Sequence, residues 1–108
     1  MMGVGPHRPV KDIERALSDG DLLLAAAIAR DFARERKHPI PLELALRFLP
    51  VAARDHTAYD AYACRWLSRW LREAHAPAID AAADIAGCLA DLPAEPTRLT
   101  VITGLLRT

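Results

Sequence analysis

Four histidines, two cysteines and several evenly spaced carboxylates and arginines are the residues of this chain with the most chemistry in them. The histidines are His7, His38, His56 and His75. No two stand four apart on one helical stretch, and none has a cysteine at finger spacing, so the pattern that holds zinc is missing. His38 and His75 fall at the ends of helical stretches, just before proline turns. An imidazolium there favours the negative end of the helix dipole, and that structural role is the expected one. Asp80 and Asp84 stand four apart, with Asp91 further along. Paired carboxylates at that spacing can move protons or hold a divalent ion. Here they alternate with alanines opposite an apolar stripe, which reads as a solvated helix face. Asp19-Gly20-Asp21 lacks the carboxylates that follow in a calcium loop. There is no glycine-rich phosphate loop, and Ser18 and Ser68 have no activating partner in the sequence. No metal or cofactor is expected.

Arginine offers more. Arg65, Arg69 and Arg72 follow at i, i+4 and i+7, and Arg30, Arg34 and Lys37 repeat that spacing. Guanidinium forks grip carboxylate or phosphate bidentately, so such a face suits an acidic partner or a nucleic-acid backbone. Asp31, Glu35 and Glu73 dilute both sets, which favours solvated faces first, protein contact second and nucleic acid third. Trp66 and Trp70, one helical turn apart, carry the second candidate surface. Their stripe continues through Tyr59 and Ala63. Core packing is the default for it, and an exposed docking anchor is the alternative.

The composition bounds what such faces can do. The 108 residues fit one domain large enough to bury a core without metal or disulfide. Fourteen basic and fourteen acidic residues cancel, so no global charge draws the chain towards nucleic acid or anionic lipid. Arginine outnumbers lysine twelve to two, Asn and Gln are absent, and alanine dominates, which fits a GC-rich bacterial genome. Its physical consequence is high helix propensity. Cys64 and Cys88 sit among apolar neighbours and read as reduced, buried thiols. The first residues have no apolar core of a signal peptide, and the run Leu22 to Ala29 is far shorter than the ~20 residues that span a bilayer. The expected place is the cytoplasm, with no membrane contact.

The apolar spacing predicts an all-α chain of about six helices. Residues 1–8 read as a mobile tail and 9–108 as a single helical domain. Pro9 opens a first helix with Val10, Ile13 and Leu17 on its inner face, ended by Asp19-Gly20-Asp21. Asp21 caps a second helix to about Lys37, with Leu24, Ile28 and Phe32 as its stripe. Pro41 opens a third, which should kink or end near Pro50. Thr57 and Asp60 resemble a capping box for the fourth, about Ala58 to Ala74. Pro77 opens the fifth, about Ala78 to Leu92, with Ile79, Ala82, Ala86 and Leu89 inward. The last holds Leu99, Ile102, Leu105 and Leu106, but its Thr residues and Gly104 make it poor in helix formers. Short connections favour antiparallel hairpins.

An offset of 38 residues brings Ala25 onto Ala63, Ile28 onto Trp66, Phe32 onto Trp70 and Pro39 onto Pro77. Each block then reads as a helix, a proline-marked turn and a second helix, a unit that can stack on its copy. Gly20-Asp21 followed by Ala25 also resembles the turn and second helix of tetratricopeptide repeats. The spacing lies between the ~34 residues of that family and the ~40–47 of HEAT and armadillo repeats. The resemblance implies a repeat-like bundle of stacked helical hairpins. With no catalytic constellation in the sequence but arginine faces and an aromatic stripe, the expected function is a small non-catalytic protein-interaction or adaptor module. Its partner is another protein or a second copy, the latter through Leu99, Ile102 and Leu106. The alternatives are a nucleic-acid-binding regulator using the arginines and a ligand-binding or enzymatic helical domain.

Overall fold

Proline, glycine and aspartate punctuate the chain, and the helices run between them. A computed structural model describes residues 9–55, 58–74 and 77–106. Among these the helices are α1 (Pro9–Ser18), α2 (Leu22–Arg36), α3 (Leu42–Leu46), α4 (Phe48–Asp55), α5 (Tyr59–Glu73), α6 (Ile79–Asp91) and α7 (Arg98–Leu106), and no residue is in a strand. The all-α class holds, and the expected third helix is two segments, α3 and α4. The expected tail, His56, Thr57 with its capping box, and His75 lie outside the described residues. The chain divides between Pro41 and Leu42 into two compact units.

The first unit is the hairpin of α1 and α2. Gly20, at φ 76°, ends α1 in the left-handed region that glycine enters at least cost. The Asp21 N–H reaches the Ala16 carbonyl at 2.8 Å and the Gly20 N–H reaches Leu17 at 3.0 Å, the paired bonds of a Schellman end. Asp21 then starts the next helix at once, its Oδ1 accepting from the Leu24 N–H at 3.1 Å. Ile13, Ala16, Leu17, Ala25 and Phe32 are buried. Leu24, expected on the inner stripe, is 49% exposed, and Val10 is 39% exposed. The true stripe of α2 is centred on Ala25 and Phe32, seven residues apart, and Leu24 stands about 100° round the helix from Ala25.

α2 ends at Lys37, which has φ 62°. A side chain there crowds the carbonyl that follows, at roughly 1–2 kcal/mol. Lys37→Gly should therefore raise stability by about 1 kcal/mol, read as a higher urea midpoint at unchanged slope. An unchanged or lower midpoint would contradict the strain.

The second unit comprises α3 to α7. The break between α3 and α4 falls at Arg47, whose N–H turns to the Leu44 carbonyl at 3.1 Å. Pro50 explains its position. An unbroken helix would need the Pro50 nitrogen to donate to the carbonyl of Leu46, and the ring would clash with that carbonyl. Breaking there leaves Pro50 in the first turn of α4, where no donor is required. It also re-aims the chain, so that Leu44, Leu46, Phe48, Leu49, Val51, Ala52 and Ala53 are all buried.

The core of this unit is Leu46, Leu49, Ala53, Ala63, Trp66, Trp70, Ile85, Leu89, Leu92 and Ile102. α6 contributes Ile85 and Leu89, while Ala82 and Ala86 are half-buried. Ile79, expected inward, is 86% exposed because it is the first residue of α6 and precedes the part that packs. α7 forms despite its composition. The Thr103 hydroxyl donates to the Leu99 carbonyl at 2.8 Å, so it satisfies itself within the helix, and Ile102 is completely buried.

Candidate interaction surface

The aromatic stripe of α5 is interior. Trp66 is 4% and Trp70 8% exposed, packed with Leu46, Ile85 and Ile102. The Trp66 Nε1–H donates to the Leu42 carbonyl at 3.0 Å, which ties α5 to the start of α3. Of the two roles open in the sequence, these residues take core packing, and neither is available as a docking anchor. The face of α7 expected to pair two copies is likewise turned inward: Ile102 is buried and Leu99, Leu105 and Leu106 pack against the core. The large apolar side chain that α7 leaves exposed is Val101, beside Thr100 and Gly104.

The arginines of α5 stay outside but are largely engaged. Arg69 is mostly covered, and its Nε donates to Glu73 Oε2 at 2.5 Å. Arg65 lies over the Tyr62 ring, 5.0 Å from its centre. Arg72 is exposed and forms no ion pair among the described residues. In α2, Arg34 pairs with Asp31, and Arg30 is exposed. The two arginine sets belong to different units.

α2 supplies a surface the sequence reading missed. Leu23, Ala27, Arg30 and Arg34 are spaced i, i+4, i+7 and i+11, which lines them along one face. That face is opposite Ala25 and Phe32. Leu23 at its head is 84% exposed, and Leu24 beside it is half exposed. The signal was present as three consecutive leucines, of which a single amphipathic face can take only one or two. An apolar head followed by guanidinium groups on one exposed helix face suits a partner with an apolar recess flanked by carboxylates.

The other chemical candidates stand apart. Asp80 and Asp84 are exposed, as are Ser18 and Ser68. Asp91 faces Arg98, with Oδ2 at 3.9 Å from Nε. His38 sets its ring edge-on to Phe32 at 5.4 Å and shares a contact of 3.1 Å with the Pro39 carbonyl. Cys64 is exposed and Cys88 half-buried, and both are free thiols, so the expectation of two buried cysteines is corrected for Cys64. It sits on the flank of α5, about 100° round from Ala63. Among the described residues no three His, Cys, Asp or Glu side chains gather as a metal site would require, and no helix is long and apolar enough to cross a membrane.

Among the described residues Tyr59 has a clearly perturbed acidity. Its hydroxyl donates to the Leu89 carbonyl at 2.5 Å, and burial, aided by the charge of Asp60, pushes its pKa up to about 12 from 10.0. The neutral phenol is favoured in the folded state. Its stabilisation is complete below pH 10 and is lost as pH rises towards 12. Thermal melts between those limits should fall more steeply for the native chain than for Tyr59→Phe. Equal slopes would remove Tyr59 as the cause.

No family model matches the chain, and neither a curated protein nor a solved structure matches it.

Proposed function

We propose that this protein is a small non-catalytic interaction module of the cytoplasm that docks on another protein through the outer face of α2. The observation that carries the reading is Leu23, a large apolar side chain 84% exposed at the head of a face that continues through Arg30 and Arg34. Free solvation of a leucine in a helix costs burial worth about 1.5–3 kcal/mol, which a partner's recess recovers. The free thiols Cys64 and Cys88 are in keeping with a reducing compartment. The pairing of Arg34 with Asp31 and of Arg69 with Glu73 lowers the positive field that a phosphate backbone requires, which favours protein over nucleic acid.

The test is stoichiometric co-purification from the native cells, comparing the natural chain with Leu23→Glu/Arg30→Glu. Both residues are exposed, so the fold should be unaffected, as circular dichroism will verify. One partner retained in defined ratio by the natural chain and lost by the variant is expected. The same proteins retained by both, or none by either, would overturn the proposal.

A further inference from the structure

α6 has an outer face as distinct in charge as that of α2. Ile79, Asp80, Ala83, Asp84, Gly87 and Ala90 are all exposed, on the side away from the buried Ile85 and Leu89. Every charge on α6 is acidic: Asp80, Asp84 and Asp91. Asp80 and Asp84 make no ion pair among the described residues, and Asp91 lies 3.9 Å from Arg98. Between the acids stand only alanines and Gly87, so another helix can come close. A Cβ added at Gly87 would meet nothing within 4 Å.

The spacing of this face matches that of α2. Asp80, Asp84, Gly87 and Asp91 stand at i, i+4, i+7 and i+11, as do Leu23, Ala27, Arg30 and Arg34. Laid antiparallel in that register, Arg30 meets Asp84, Arg34 meets Asp80 and Ala27 meets Gly87. Leu23 then comes to the Ala90 end, where a hollow of about 190 Å³ opens between α5 and α6. Cys64, Leu67, Ala86 and Ala90 line it, with Asp60 at its edge. The parallel arrangement sets Leu23 on Asp80 and Arg30 on Gly87, pairs only Arg34 with an acid, and aligns like ends of the two helix dipoles. Charge and size therefore select the antiparallel one. Arg30, like Asp84, makes no ion pair among the described residues, and the bond of Arg34 to Asp31 is exposed at both ends, so little is lost in exchanging it.

We propose that the partner of the α2 face is a second copy of this chain, which offers its α6. The proposal rests on α2 being the docking face and names what occupies it. Both faces are exposed in the single chain, so the contact joins two copies. α2 of one copy lies along α6 of the other, with Leu23 seated in the hollow. The two sides of the contact are different surfaces, so association is reciprocal in a closed pair or runs on as a chain. One helix face against another is a small interface, and association is expected at micromolar concentration and above.

The experiment is sedimentation velocity of the purified full chain, from low micromolar to near-millimolar concentration. Association that weakens with added salt is expected. Arg30→Glu and Asp84→Arg each set like charges face to face and should each weaken it about tenfold or more. An equimolar mixture of these two variants restores opposite charges at the contact and should associate as the natural chain does. Gly87→Tyr fills the space that Ala27 needs and should leave the chain single. All three positions are exposed, and thermal melts check that the fold is intact. A natural chain that stays single throughout, variants that associate as well as it does, or a mixture no stronger than its components would each overturn the proposal. A natural chain that stays single yet retains a protein of different sequence through Leu23 and Arg30 removes the second copy as partner and leaves α2 as the docking face.

Discussion

Replacing Trp66 by alanine should lower the unfolding free energy by about 3–5 kcal/mol. Two losses add. The indole is 4% exposed and packs among Leu46, Ile85 and Ile102, so truncation leaves a large cavity in the most populated part of the core. Its Nε1–H also satisfies the Leu42 carbonyl at 3.0 Å, and α3 has only five residues in which to hold its own position. For a domain whose total stability is of order 5–15 kcal/mol, this is enough to leave much of the population unfolded. Urea denaturation followed by far-ultraviolet circular dichroism measures it. Trp66→Phe separates the terms, because it keeps most of the volume and deletes the hydrogen bond. It should cost about 1–3 kcal/mol. A Trp66→Ala loss below about 1 kcal/mol would mean that the side chain spends its time at the surface, and the docking role of the aromatic stripe would return.

Ile102→Ala should cost about 2–5 kcal/mol, while Val101→Ala, its neighbour in sequence, should stay within about 0.5 kcal/mol. Ile102 is completely buried and Val101 is 44% exposed. The contrast tests whether α7 is held chiefly by its one fully buried residue. α7 is otherwise poorly equipped to form. Thr100, Thr103 and Gly104 are weak helix formers, and an isolated helix of nine residues is marginal in water. Its order must therefore come from docking on the core. Hydrogen exchange of the α7 amides should accelerate in Ile102→Ala more than in any other helix. Equal effects of the two substitutions would show that α7 is not seated as described.

Much of the local structure follows from the sequence. The Schellman end at Gly20 and the cap at Asp21 depend on bonds reaching no more than five residues, and the chain carries the residue types they need. The same is true of Pro9 opening α1 and of the break that Pro50 enforces, although its position at Arg47 follows only once the clash with the Leu46 carbonyl is counted. Of the positions that the 38-residue offset aligns, Ala25 and Ala63, and Phe32 and Trp70, are buried, whereas Ile28 is half-buried where Trp66 is buried.

What the periodicity left open was rotation about each helix axis and the depth at which each helix enters its core. Leu22, Leu23 and Leu24 span more of the helix circumference than one buried face, and only packing against α1 turns Ala25 inward and leaves Leu23 outside. Ile79 has the right spacing for an inner face and the wrong position along it. Trp66 and Trp70 read in sequence as core by default, with a docking site as the alternative. The covering of that stripe by residues as distant as Leu46, Ile85 and Ile102 decides between them. The sequence by itself determined an all-helical chain and where most of its helices start and stop, because these rest on short-range geometry; the split of the expected third helix into α3 and α4 was not among them. Which faces are left for partners was decided by tertiary contact, because burial belongs to pairs of helices and not to any one of them.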